Sequence, residues 1–215
     1  LGRALVKSGE GEAALDAYSQ ALDAGQSSAA VEIAQGHAAG SFGAASDPRL
    51  GVPALEELAA EGDDKAKYRL AEAYRKGEGA APDPTRSIAL FEELAKTGDA
   101  NALLRLGDFY ANGNGVPTDL QKAIEYYRAA IDAGNVYANI SLGRALIKAG
   151  DGESALDAFT QALEGGRSSA ALDIAVGHSA GSFGAFSDPG LGVPALEQLA
   201  ADGDANAKYK LAEAF

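Results

Sequence analysis

His37, Ser41 and Asp47 have the residue types of a hydrolytic triad, and the same three return as His178, Ser182 and Asp188. In such a triad the imidazole takes the serine proton while the carboxylate holds the imidazole in place. The flanking residues argue against that chemistry here. No Gly-x-Ser-x-Gly elbow surrounds either serine. His37 also takes the position that Tyr74 and Tyr110 fill elsewhere, so it is expected to pack between helices. Asp202, Asp204, Asn206 and Glu213 match four positions of a calcium loop, but Ala207 stands where the sharp turn needs glycine. That stretch reads as a helix cap followed by an Ala-rich helix. Lys76-Gly77-Glu78-Gly79 and Asn112-Gly113-Asn114-Gly115 lack the Gly-Lys-Ser/Thr of a phosphate loop and read as inter-helix turns. Asn139-Ile140-Ser141 fits a glycan acceptor, yet it falls in a predicted helix whose Tyr137 and Leu142 are expected to pack inward. The expectation is no catalytic residue, no cofactor and no metal.

The elements that must carry these residues repeat. Residues 1–74 return nearly unchanged at 142–215, from Leu1-Gly2-Arg3-Ala4-Leu5 and Leu142-Gly143-Arg144-Ala145-Leu146 onward. Most exchanges are mild, among them Tyr18/Phe159 and Arg69/Lys210. Self-similarity at a fixed period marks a repeat architecture. Repeat arrays are mostly binding surfaces, whereas chemistry needs residues that converge. Leu1 and Phe215 both align with helix interiors, so the chain is expected to be part of a longer array.

Composition narrows the function classes. A net charge of −13 repels phosphate backbones and anionic membrane surfaces, so nucleic acid is not an expected partner. There is no cysteine, which excludes disulfides and thiolate metal sites. No apolar run approaches the roughly 20 residues of a membrane span.

A shorter unit lies inside the long one. Its repeats run 27–63, 64–99, 100–135, 136–167 and 168–204, with partial units at 1–26 and 205–215. In 100–135, Ala102, Leu103, Leu106, Phe109 and Tyr110 share one face of a helix. Asp99 is its natural N-cap, as Asp63, Asn135 and Asp204 are in equivalent places. The Asn112–Pro117 turn follows, then a helix capped by Thr118 or Asp119. That helix carries Ala123, Ile124, Tyr127, Ala130 and Ile131 inward and ends at Gly134. Each unit is helix–turn–helix and needs stacked neighbours to bury its apolar face.

These residues resemble the Sel1-like repeat, a relative of the tetratricopeptide repeat. Residues 100–135 supply Leu106-Gly107, Tyr110, Gly113, Gly115-Val116, Asp119, Lys122-Ala123, Tyr126-Tyr127, Ala129-Ala130 and Gly134. Residues 64–99 follow with Leu70-Ala71, Tyr74, Gly77, Gly79 and Asp83. Repeats 27–63 and 168–204 depart from the pattern, with His37 and His178 for the tyrosine and a longer turn. Repeat 136–167 has a short turn closer to a plain tetratricopeptide unit. The resemblance implies an all-α, right-handed α-solenoid spanning 1–215 as one domain, with the first helix of each pair lining a concave face. The Cys-rich members with a disulfide per repeat are excluded.

The family resembled implies a non-catalytic scaffold for protein partners, as in bacterial envelope assemblies, exopolysaccharide export and its regulation. The acidic, Cys-free, Ala/Gly-rich composition reads as bacterial, and a periplasmic or outer-membrane-associated location is expected, with a cytoplasmic one as the alternative. The alternative is a groove for polysaccharide or a peptidoglycan fragment. The absence of Trp, and the packing positions of most Tyr and Phe, count against it. Charged residues flanking the Leu-Gly or Leu-Ala step are the expected partner contacts: Arg69, Glu72, Arg105, Asp108, Arg144, Lys210 and Glu213.

Overall fold

The computed structural model describes residues 1–26 and 28–213. Among them are thirteen α-helices and two short 3-10 turns, and no strand. Phe215, the expected counterpart of Tyr74, lies outside the described residues. The chain divides at Gly98 into two compact units. The first holds α1 (Gly2–Ser8), α2 (Gly11–Asp23), α3 (Ser28–Ala38), α4 (Pro48–Ala60), α5 (Asp64–Lys76) and α6 (Pro84–Lys96). The second holds α7 (Ala100–Asn112), α8 (Leu120–Asp132), α9 (Ala138–Ala149), α10 (Gly152–Glu164), α11 (Ser169–Ser179), α12 (Pro189–Ala201) and α13 (Ala205–Glu213).

Within each unit every helix packs on the next, and the first helices of successive repeats also touch: α3 with α5, α7 with α9, α11 with α13. This is the stacking that helix–turn–helix repeats need to bury their apolar faces. Val31, Val52, Leu55, Leu70 and Tyr74 form the core of the first unit. Ile124, Tyr127, Leu142, Leu146, Phe159 and Phe183 form that of the second.

The caps follow the local chemistry, with one correction. Asp63, Asp99, Asp119 and Asp204 each accept a backbone N–H from the first turn of the helix that follows. Asn135 does not cap α9. Its Oδ1 accepts the Tyr137 N–H at 3.1 Å and its Nδ2 donates to Asn101, so it ties a turn to α7, and α9 starts only at Ala138. Tyr137, expected to pack inward, is therefore ahead of the helix and 58% exposed, its ring covered by the Arg167 guanidinium at 3.8 Å.

Candidate functional site

The histidines hold turns closed. The Asp47 N–H donates to His37 Nδ1 at 3.0 Å, and the Asp188 N–H donates to His178 Nδ1 at the same distance. In the regular repeats the equivalent amides of Asp83 and Asp119 donate to the carbonyls of Tyr74 and Tyr110 at 2.9 Å. Those tyrosine hydroxyls instead accept from the second helix, from Arg86 at 3.0 Å and from Lys122 at 2.7 Å. The turn after His37 is one residue longer than that after Tyr74, which puts the capping amide in reach of a side chain. The extra length lets Phe42 fold back and bury itself edge-on against His37, with centroids 5.2 Å apart. Ser46, not Ser41, accepts the Phe42 N–H.

No proton relay forms from these parts. His37 Nδ1 is taken by a backbone amide, and both Asp47 oxygens are taken by Arg49. Those Arg49 bonds hold the Asp47 carboxyl below the ordinary carboxylate value. The calcium pattern also comes apart: Asp202 accepts from Gln198, Asp204 caps α13 and Glu213 bonds Lys210 at 2.6 Å. Among the described residues no group of three His, Asp or Glu could hold a metal ion. Asn139 of the acceptor sequence is 5% exposed inside α9 and is not available to a glycan.

The charged residues singled out on the first helices are mostly paired with one another. Arg105 bonds Asp108 at 3.2 Å, and Asp108 also accepts the Tyr127 hydroxyl at 3.0 Å. Burial, with Asp108 beside it, pushes the Tyr127 phenol far above its ordinary value, so it stays protonated and donates to Asp108. Arg144 makes a two-pronged pair with Asp173 of α11, at 3.0 and 2.9 Å. Its counterpart Arg3 pairs with Glu32. Glu72, expected to be exposed, is 7% exposed and locked by Arg75 at 2.7 Å and Lys76 at 3.5 Å. It falls on the buried stretch of α5 between Ala71 and Ala73.

Arg69 is the exception. It makes no ion pair among the described residues and lines a recess of about 280 Å³ in the first unit. Arg3 and Lys7 of α1, Tyr18 of α2, Glu32 of α3 and Ser41 of the long turn share that lining. Three cations thus face one carboxylate in a chain of net charge −13. Burial raises the Tyr18 phenol above its ordinary value, and Glu32 raises it further while Arg3 and Arg69 lower it. Arg3, Lys7, Tyr18 and Glu32 escaped sequence reasoning because α1 is short and its polar residues look like a solvated face. The available signal was the duplication, which pairs Arg3 and Glu32 with Arg144 and Asp173.

The Sel1 repeat family model matches residues 64–99 and 100–135, the two repeats whose Tyr and glycine turns are regular. Residues 64–135 are a pair of Sel1 repeats. A tetratricopeptide repeat model matches residues 118–171, which include the short-turned repeat. A Sel1 repeat protein from Oxalobacter formigenes is similar in structure, with a TM-score of 0.71 and 22% identity over 96% of this chain and 85% of that one. A protective antigen present in uropathogenic Escherichia coli strains, described as displaying an SLR fold, also has a TM-score of 0.71. It is 25% identical over 94% of this chain, which spans 44% of the antigen's length. No curated protein matches in sequence. Sel1-like and tetratricopeptide repeats are generally protein–protein interaction scaffolds and typically non-catalytic. No helix among the described residues is long and apolar enough to cross a membrane.

Proposed function

We propose that the chain is a non-catalytic adaptor that holds a protein partner through the first-helix face of its first unit. The observation that carries this reading is the recess at Arg69, where Arg69 and Lys7 have no ionic partner among the described residues. Cations gathered at one recess of a strongly acidic protein favour an acidic segment of the partner, since opposite potentials steer encounter and set specificity. Arg105, Asp108, Arg144, Lys210 and Glu213 stand as secondary contacts, because each would first have to give up a bond it already makes. An envelope setting, periplasmic or outer-membrane-associated, is part of the proposal.

The test is affinity capture from envelope and soluble extracts, with Lys7→Glu and Arg69→Glu together as the control. The expected result is a protein partner captured by the parent chain and lost from the control. A partner kept by the control would move the contact elsewhere on the repeats, and capture of polysaccharide alone would replace the adaptor reading.

A further inference from the structure

In the second unit, α8, α9 and α10 enclose a recess of about 260 Å³. Its apolar walls are Ile131 of α8 and Leu142 and Leu146 of α9. Asp132 of α8 and Asp157 of α10, both exposed, stand with Arg128 at its polar margin. Two carboxylates therefore face one guanidinium. Asp151 at the start of α10 also lies within the field of Arg128.

Asn139 lines the same recess and is 5% exposed. Its Nδ2 donates to the Val136 carbonyl at 3.4 Å, but its Oδ1 has no hydrogen-bond partner among the described residues. A buried amide oxygen without a donor is costly, and such groups in native folds call for an explanation. What would satisfy it is a group rich in N–H, and the excess of carboxylate selects a cation.

We infer that this recess binds a basic side chain of a partner protein, a lysine ammonium or an arginine guanidinium. The aliphatic stem lies along Ile131, Leu142 and Leu146, as long cationic side chains cover apolar surface. The head group lies between Asp132 and Asp157 and donates to Asn139. The inference rests on the adaptor reading for the source of the side chain, but the recess is distinct from the one at Arg69.

The test needs no partner. The ¹⁵N-labelled 215-residue chain is titrated with Nα-acetyl-lysine methylamide and with Nα-acetyl-arginine methylamide. The uncharged norleucine analogue, cadaverine and sodium acetate serve as comparison probes. Saturable shifts of the Asn139 side-chain amide and of the Ser154 and Asp157 backbone signals are expected with the two basic probes. Asp157→Asn should weaken the response about 2- to 5-fold and Arg128→Met should strengthen it by a similar factor, the range of partly exposed charge pairs. Both are exposed positions, so the fold should survive either change.

Equal shifts with norleucine, or none at these signals, would overturn the inference. A response to acetate that Arg128→Met abolishes would do the same in favour of an anion. A far stronger response to cadaverine than to the lysine probe would reassign the recess to a free amine. Because the titration and the partner capture are separate experiments, either can fail while the other stands.

Discussion

Gly36 and Gly177 sit inside helices for one steric reason. A Cβ at Gly36 would lie 2.1 Å from the ring of Phe42, and one at Gly177 would lie 2.0 Å from that of Phe183. Gly36→Ala gains helix propensity of about 1 kcal/mol but forces a fully buried ring to move, which costs about 1–3 kcal/mol. A net loss of stability is expected in urea unfolding, and adding Phe42→Leu should recover part of it. Tyr127→Phe should cost about 1 kcal/mol by removing the hydrogen bond to Asp108, with Asp108 still held by Arg105. The packing of Tyr74 and Tyr127, the aspartate caps and the turn glycines could be read from the sequence because each follows from a pattern local to one repeat. The partner of each glycine could not, since Phe42 must first fold back from the turn to reach it. The isolation of Arg69 was equally hidden, because ion pairing such as Arg144 with Asp173 joins residues 29 apart.

Helix ends carry the pH dependence. The Asp47 carboxyl is held down chiefly by its bonds to Arg49, and that of Asp151 chiefly by its bond to Ser154. Both fold with values below the ordinary 3.8. As pH falls, the unfolded chain takes up these protons first. The stabilisation is therefore complete above about pH 4 and is lost as pH drops through the depressed folded values. Thermal midpoints measured from pH 6 to pH 2 should fall at the acid end, and less steeply in Arg49→Ala with Ser154→Ala. Asp99→Ala should cost about 1 kcal/mol as a lost cap, since Asp99 serves both Asn101 and Ala102. The same helices were legible from apolar spacing, but the role of Asn135 was not. A cap is a local motif, whereas the bond from Asn135 to Asn101 depends on how α9 meets α7.

Across the molecule, stability should build up repeat by repeat, because each helix pair is completed by its neighbours. Removing α12 and α13 should lower the unfolding midpoint by an increment and leave the helices of 99–164 folded, as followed by circular dichroism. Loss of all structure would argue for a single indivisible core. The long-turn packing bears on how such a chain came to be. Phe42 meets Gly11, Tyr18, Gly36, His37 and Ser46, and Phe183 meets Gly152, Phe159, Gly177, His178 and Ser187. Each set is drawn from one copy, so a single stretch of gene encodes both the plug and its socket. Tandem copying of that stretch delivers a finished part to its new address, with no second mutation needed to make it fit.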